Sequence, residues 1–281
     1  MKKDYTVIRE NTPAEEIAFV EEFWTERWDS RECAPDPGWV ARSEEYKIMA
    51  SFLKSIPAGS RILDGGCGLG DWTVFLTDQG FQVVGLDVSQ RTIARLQEIF
   101  PNYQFIQGDI RATGFPAASF DAYFSWGTFE HFENGPGDCL KEAYRLLKPG
   151  GLLFISVPYQ NWRHVLREAS PRYRWHEAFN LKLGSPCPLR FYQWRFTRAD
   201  LRQELERQGL MILKMKPIHS PEGARRTLVW DFRLKEGTRV FAAAEMLLCR
   251  LIPPSLLSHM LMAVARKTDH GDSQRPDDHC Q

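Results

Sequence analysis

The segment Arg61-Ile-Leu-Asp-Gly-Gly-Cys-Gly-Leu-Gly70 runs from a short apolar stretch into a turn rich in glycine. The apolar stretch predicts a strand over 61–64, and the turn carries an acid and glycines in the pattern D-x-G-x-G-x-G. Glycine permits positive φ and lets a ligand approach bare backbone. The segment therefore predicts a strand-to-helix turn that binds a nucleotide-like ligand, although such turns also serve packing alone.

Short apolar runs alternate with amphipathic helices beyond this turn, which is typical of βαβ units and a mainly parallel sheet. Further strands are predicted over 82–87, 104–107, 121–125, 152–157, 211–216 and 260–267. Two helices are expected to start at the N-caps Ser89 and Thr197. A third, over 138–147, is expected to stop at a turn formed by 148–151, where a proline and two glycines occur.

Two more helices are predicted upstream of the sheet. The first begins at the N-cap Thr12, and the second begins at Ser43 and ends at 57–59. The first places four apolar residues on one face, namely Ile17, Val20, Trp24 and Trp28. These tryptophans, with Trp39, either close over a bound ligand or pack in a core.

Acidic residues follow the second and third predicted strands. Asp87 could bond both ribose hydroxyls of an adenosine. Asp109 could accept a hydrogen bond from an adenine amino group while Ile110 and Phe115 cover the ring. Each acid alone is more often a cap or turn residue, but together with Asp64 they end three consecutive strands.

These motifs, together with Phe120-Asp-Ala-Tyr-Phe-Ser125 and Leu147-Lys-Pro-Gly-Gly151, resemble the ordered motifs of class I S-adenosylmethionine-dependent methyltransferases over roughly 62–157. Ser125-Trp-Gly-Thr-Phe-Glu-His-Phe132 is similar to the Glu-His motif of the ubiquinone-biosynthesis-like (methyltransferase type 11) branch, whose members mostly modify small molecules. The resemblance implies a Rossmann-like α/β fold, with a doubly wound, mainly parallel seven-stranded sheet, an antiparallel last strand, a helical N-terminal extension and an inserted lid.

The resemblance also implies S-adenosylmethionine as the methyl donor and S-adenosylhomocysteine as its product. Gly66 and Gly68 would line the donor's amino acid part, Asp87 its ribose, Asp109 and Ile110 its adenine, and Ser125 to Gly127 the edge near the sulfonium. The full predicted donor site consists of Asp64, Gly65, Gly66, Gly68, Gly70, Asp87, Val88, Gly108, Asp109, Ile110, Ser125, Trp126 and Gly127.

His131 is the candidate general base, since a neutral imidazole can take a proton from a hydroxyl or amine near neutral pH. Alternatively, Glu130 and His131 brace the following helix or contact the donor. Some relatives hold a divalent metal with an additional upstream acid, but Trp126 and Gly127 occupy the nearby positions here. We therefore expect no metal. Because the sulfonium already activates the methyl group, alignment and exclusion of water are the main tasks of such a site.

The segment 158–196 is expected to be an irregular insertion that forms a lid and the acceptor pocket, because ligands bind beyond the carboxyl ends of the strands. It is rich in arginine and aromatic residues, which suits a planar, carboxylated or phosphorylated acceptor. The basic residues are Arg163, Arg167, Arg172, Arg174, Lys182, Arg190 and Arg195. Alternatively, its aromatic residues form a small core of their own and the arginines face solvent.

The chain as a whole is predicted to be one methyltransferase domain, with a helical extension over 1–60, a core over 61–157, the insertion over 158–196, a C-terminal part over 197–267 and a disordered tail over 268–281. Lysine and arginine total 36, equal to aspartate and glutamate, so no overall field favours nucleic acid or an anionic membrane, although a local patch could still do so. Six cysteines without a closely spaced pair indicate reduced thiols. No apolar leader follows the basic start and no apolar run suits a membrane span, so a cytoplasmic protein is expected.

Four functions follow from this interpretation. The first is methyl transfer to oxygen, nitrogen or carbon of a small or lipid-linked metabolite, and the second is methylation of tRNA or protein. The third is a dinucleotide-dependent oxidoreductase, which the spacing of Gly66, Gly68 and Gly70 disfavours. The fourth is a donor-binding subunit without catalysis. The oligomeric state is not predicted.

Overall fold

The computed structural model describes residues 1–7, 13–29, 37–169, 171 and 189–268. A seven-stranded sheet forms its centre, with the order β4-β3-β2-β5-β6-β9-β8. Its strands are β2 (Arg61–Gly65), β3 (Gln82–Asp87), β4 (Gln104–Gln107), β5 (Phe120–Trp126), β6 (Leu147–Pro158), β8 (Leu210–Ile218) and β9 (Met260–Lys267). Strands β2 to β6 pair in parallel, and β9 runs antiparallel between β6 and β8. The predicted α/β fold with an antiparallel last strand is confirmed.

Helices cover both faces of this sheet. They are α1 (Glu16–Asp29), α2 (Pro37–Arg42), α3 (Glu44–Leu53), α4 (Asp71–Asp78), α5 (Gln90–Ile99), α6 (Gly137–Leu146), α7 (Trp162–Ala169), α8 (Arg198–Arg207), α9 (Ser220–Trp230), α10 (Arg239–Leu251) and α11 (Pro254–Leu257). The N-caps Ser89 and Thr197 are confirmed, since each hydroxyl accepts a backbone N–H three residues on. Among the described residues, no helix is both long and apolar enough to span a membrane.

The core lies on both sides of the sheet. On β5, Tyr123 packs with α6 and α8, whereas Phe124 faces the side of α3 and α4. Successive residues of a strand point to opposite faces, so both neighbours are fully buried. This is the pattern of a parallel sheet covered on both faces, and it leaves the carboxyl ends of the strands open for a site.

Two predicted element boundaries were wrong. The helix that begins after Ser43 ends at Leu53, before 57–59. The expected turn at 148–151 belongs to β6, which pairs from Leu147 onward, with Gly150 at φ 74°. A register shift between Phe120 and Ala122 accommodates the extra residues, so proline and glycine make a bulge there instead of a free turn. The N-cap Thr12 and the tail over 269–281 lie outside the described residues.

The segment 158–196 is not simply irregular. It contains α7 and a strand, β7 (Leu189–Arg195), which pairs antiparallel with β1 (Lys2–Val7) in a separate two-stranded sheet. The extension over 1–60 is therefore not purely helical. Apolar and polar residues alternate only weakly in the run Lys2-Lys-Asp-Tyr-Thr-Val7. Its partner strand lies nearly 190 residues away along the chain. The local sequence pattern therefore did not predict this pairing.

Candidate active site

A cavity of about 220 Å³ opens at the carboxyl ends of the parallel strands, where β2 lies between β3 and β5. This is the point at which the strand order reverses, the usual ligand crevice of such a sheet. Most of the predicted site residues line it, namely Asp64, Gly66, Gly68, Asp87, Val88, Gly108, Asp109, Ile110, Trp126, Gly127 and His131. Lining residues that lie outside the predicted set include Cys67, Leu69, Asp71, Trp72, Thr128 and Phe132.

The glycine-rich turn presents bare backbone to this cavity. Gly66 and Gly68 have φ values of 79° and 52°, and a Cβ on Gly66 would lie 2.3 Å from the Oγ1 atom of Thr128. A Cβ on Gly68 would lie 2.9 Å from the ring of Trp28. Side chains are therefore excluded at both positions by conformation and by space. The backbone N–H groups of Gly66 and Cys67 donate to the carbonyl of Leu86, which joins the turn to β3.

Asp87 is the carboxylate that joins this turn to the cavity. Its Oδ2 atom accepts a 2.9 Å hydrogen bond from the backbone N–H of Gly68, and its Oδ1 atom accepts one of 3.0 Å from Ser89. Burial raises its pKa, and these backbone donors oppose that rise. Each oxygen retains acceptor capacity, because a carboxylate oxygen can accept more than one hydrogen bond.

Asp64 lies beneath the turn and is buried. The hydroxyl of Thr73 donates to its Oδ2 atom at 2.8 Å. Burial, with added repulsion from Asp87, raises the pKa of Asp64 to about 7. Asp64 is therefore only partly ionised near neutral pH.

Asp109 is held by a residue that the sequence interpretation missed. The guanidinium of Arg111 donates from Nε and Nη2 to Oδ2 of Asp109, at 3.0 and 2.8 Å, and from Nη1 to Glu16 at 2.7 Å. It also lies 4.4 Å from the ring centre of Phe132. Arg111 therefore takes up much of the acceptor capacity predicted for Asp109, and it ties α1 to the loop after β4. The only local signal was a cation two residues after the acid.

Helix α1 lies across the mouth of the cavity with Ile17, Val20, Trp24 and Trp28, the face predicted from the sequence. The rings of Trp24 and Trp28 stack at 5.2 Å. Trp39 also lines the cavity and donates from Nε1 to Asp71 at 2.9 Å. Large apolar rings at the mouth exclude water from whatever occupies the space.

Comparison with known proteins bears on this geometry. A methyltransferase domain model matches residues 62–151, about a third of the chain. Residues 62–151 form a class I S-adenosylmethionine-dependent methyltransferase domain.

The domain is similar to the 2-methyl-6-phytyl-1,4-hydroquinone methyltransferase of Synechocystis, with 32% identity over 45% of this chain and 44% of that protein. It is also 32% identical to the trans-aconitate 2-methyltransferase of Azoarcus, over 46% of this chain and 52% of that protein. The matches thus span about half of those relatives. The fold is similar to that of 1,6-didemethyltoxoflavin-N1-methyltransferase from Burkholderia thailandensis, with a TM-score of 0.55 and 17% identity over 95% of this chain and 96% of that one.

Four residues of the predicted set do not line the cavity of the methyltransferase domain, namely Gly65, Gly70, Ser125 and Glu130. Gly65 and Gly70 make room for buried rings, since a Cβ on them would lie 2.3 Å from the Tyr123 hydroxyl and 2.8 Å from Phe105. The Ser125 hydroxyl is buried and has no hydrogen-bond partner among the described residues. These residues support the walls of the cavity.

His131 ends a 3₁₀ turn (Phe129–His131) and faces the cavity. Its Nδ1 atom lies 2.8 Å from the carbonyl oxygen of Tyr192. Since a carbonyl only accepts, Nδ1 carries the proton and Nε2 holds the lone pair. Burial lowers the pKa of His131 to about 4, so its imidazole is neutral near pH 7.

Glu130 lies behind His131 and is 2% exposed. Burial raises its pKa to about 8, and its Oε2 atom has no partner within the described part of the chain. His131 Nε2 and Glu130 Oε1 lie 3.9 Å apart. Because both groups are neutral near pH 7, they do not form an ion pair there. Among the described residues, no group of three or more His, Cys, Asp or Glu residues in the methyltransferase domain suits a metal ion.

Proposed function

We propose that the protein transfers a methyl group from S-adenosylmethionine to oxygen, nitrogen or carbon of a small or lipid-linked metabolite, by in-line displacement. One observation carries this proposal. The bare backbone of Gly66 and Gly68 and the carboxylate of Asp87 face one cavity at the switch point of the sheet. The methyltransferase domain supports the same conclusion.

In this proposal the donor is bound by groups of different chemistry. Gly66 and Gly68 take the amino acid part, Asp87 takes the ribose hydroxyls, and Ile110 covers the adenine. Asp64, whose pKa is about 7, lies under the turn and adds negative charge as it ionises. Trp126 and Gly127 form the wall near the reacting sulfur.

The bound donor supplies a methyl group that its sulfonium makes electrophilic. The protein then has to align the acceptor and exclude water, and alignment alone can lower a barrier by about 7–11 kcal/mol. Trp24 and Trp28 exclude water at the mouth. The lone pair on Nε2 of His131 accepts a proton where the acceptor is a hydroxyl or an amine.

The arginines of the insertion support a small acceptor over a nucleic acid. Arg163 pairs with Asp231 at 2.7 Å, and Arg195 pairs with Asp4 and Glu168 at 2.9 and 2.8 Å. Arg190 donates to the backbone carbonyls of Pro13 and Ala14. These described arginines serve contacts within the chain and do not form a free basic groove. Arg172, Arg174 and Lys182 lie outside the described residues, as does the side chain of Arg167.

Calorimetry with purified protein tests donor binding, comparing S-adenosylmethionine and S-adenosylhomocysteine with NAD and NADP. We expect the two sulfur ligands alone to bind, and Asp87→Asn to weaken them at least tenfold. Asp121→Asn is the matched control, because Asp121 pairs with Lys148 near the start of β5, away from the cavity. Binding of a dinucleotide alone, or equal effects of the two variants, would contradict the proposal. Transfer itself is tested by mass spectrometry of metabolite extracts incubated with a trideuteriomethyl donor, where a labelled small molecule is expected.

A further inference from the structure

Helix α10 exposes an unusual amount of apolar surface. Phe241 is its only buried residue. Val240 is 70% exposed, Leu247 56% and Leu251 67%, and Met246 is exposed as well. A helix this apolar is normally covered on its apolar face, so an uncovered one marks an interaction surface.

The apolar and the charged residues of α10 lie on different sides of the helix. Val240, Leu247 and Leu251 are spaced by seven and four residues and form one stripe. Arg239 and Arg250 lie three turns apart along the side of that stripe. The only acid of the helix, Glu245, is half-buried on the side of Phe241. The exposed face therefore combines an apolar stripe with a basic flank and no acid.

The loop before α10 adds further positive charge. Arg233 and Lys235 are exposed there. In the part of the chain that the structure describes, these two residues form no salt bridge, and Arg239 and Arg250 form none either. Arg225 on α9, by contrast, pairs with Glu222 and Glu236. Among the described residues these four cations therefore have no salt-bridge partner, and two of them, Arg239 and Arg250, lie beside the stripe.

The connection that contains α10 leaves and rejoins the sheet at the edge where the cavity lies. Helices α9 to α11 connect β8 to β9, and β8 runs parallel to β6, so α9 begins at the carboxyl edge. Met260, which follows these helices, lies 3.6 Å from the Cβ position of Gly127 in the cavity wall. Beside α10 is a hollow of about 320 Å³ with mainly apolar lining from Leu166, Leu248, Ile252, Leu256 and Leu257.

We propose that α10 binds flat to the surface of an anionic phospholipid bilayer. Val240, Leu247 and Leu251 enter the boundary of the acyl chains, and Arg239, Arg250, Arg233 and Lys235 meet lipid phosphates. An apolar face with arginine beside it is the pattern of interfacial helices. A second copy of the chain is a poorer occupant, because a two-fold contact through this face would bring Arg239 and Arg250 of both copies together, and neither has a salt-bridge partner among the described residues.

The membrane proposal goes beyond the proposed function and does not depend on methyl transfer. The two meet in one respect, since a face on a connection at the same edge of the sheet as the cavity suits a lipid-linked acceptor. Vesicle binding is measured without donor or acceptor, so its failure is distinct from a failure of donor binding.

Vesicle flotation tests the proposal, with phosphatidylcholine alone and with 30% phosphatidylglycerol. We expect binding to the anionic vesicles that falls as salt is raised. Arg239→Gln with Arg250→Gln should lower partitioning at least tenfold, since each basic residue near an anionic surface contributes about fivefold. Leu247→Gln with Leu251→Gln should lower it roughly tenfold or more through lost apolar burial.

Matched controls lie on other faces. Ile99→Gln, an exposed apolar residue of α5, and Arg202→Gln with Arg207→Gln on α8 should bind vesicles as the unchanged protein does. An unchanged midpoint of thermal unfolding shows that each variant is folded. No binding of the unchanged protein to anionic vesicles, or equal loss in variants and controls, would overturn the proposal. So would concentration-dependent dimerisation that Leu247→Gln abolishes, because the face would then join two copies.

Discussion

The backbone N–H of Gly68 donates a 2.9 Å hydrogen bond to Oδ2 of Asp87, so one carboxylate both holds the glycine-rich turn and faces the cavity. Changes at Asp87 therefore act on the turn as well as on the ligand. Substitution of a glycine changes the turn but leaves Asp87 intact. Such variants therefore separate the effect on the turn from the effect on the ligand.

Gly66→Ala should lower stability by about 1–3 kcal/mol and abolish tight donor binding, because a Cβ would lie 2.3 Å from Thr128 at φ 79°. Gly59→Ala is the matched control, since Gly59 has φ 77° and no atom within 4 Å of its Cβ position. Thermal unfolding and calorimetry measure both properties. If Gly59→Ala weakened the donor as much as Gly66→Ala does, backbone strain and not lost space would be the cause.

Glu130→Gln should stabilise the protein at pH 8 by roughly 1–3 kcal/mol and have little effect at pH 5. Burial raises the folded-state pKa of Glu130 to about 8, from an ordinary value of 4.5. The native state therefore binds more protons than the unfolded state between pH 4.5 and 8, and stability falls as the pH rises through that window.

Chemical denaturation at pH 5 and pH 8 measures this difference for Glu130→Gln. Glu98→Gln, an exposed position on α5, is the control and should have the same stability as the unchanged protein at both pH values. A Glu130→Gln protein that lost stability at pH 8 would show that the native carboxyl is ionised there.

His131→Gln should lower kcat by about 10²–10⁴-fold for a hydroxyl or amine acceptor while donor affinity changes little. With a pKa of about 4, the imidazole is neutral across pH 6–8, so ionisation of His131 should leave the rate unchanged in that range. Tyr192→Phe is the control, because Tyr192 holds His131 through its backbone carbonyl. Full activity of His131→Gln would assign the residue a bracing role.

Arg111→Gln should loosen α1, because Arg111 joins Asp109 to Glu16. Hydrogen exchange of the α1 amides should become faster, and the donor should bind several-fold more weakly. Arg91→Gln is the control, since Arg91 also reaches α1, through Asp29, but does so at the exposed surface, where such pairs contribute about 0–1 kcal/mol. Equal exchange in the two variants would argue against a special role for Arg111.

The sheet could be predicted because its signals are local. The strands at 82–87, 104–107 and 260–267 match the structure at both ends, and the caps Ser89 and Thr197 were identified from single residues. The β1–β7 sheet could not be predicted, because its partners lie far apart in the chain and its sequence is polar. Most of the predicted site residues meet in one cavity because consecutive parallel strands end at one edge.

Side-chain contacts between distant helices, strands and loops could not be predicted from the sequence. Nothing local shows that Arg111 reaches Glu16 on α1, or that Tyr192 presents its carbonyl to His131. Burial likewise comes from the whole fold, so the opposite pKa shifts of Glu130 and His131 became visible only in three dimensions. The roles of individual site residues toward the donor stay predictions.

The charge on the cavity wall has one further consequence. Among the described residues that line it, the ionisable side chains are Asp64, Asp71, Asp87, Asp109, Cys67 and His131, with no lysine or arginine. Because the imidazole is uncharged near pH 7 and Arg111 offsets the charge of Asp109, the other acids of the wall attract a positively charged guest more than a neutral one of the same shape. Transfer of the methyl group converts a sulfonium into an uncharged thioether. Under the proposed function, this electrostatic attraction is therefore stronger for the fresh donor than for the spent one.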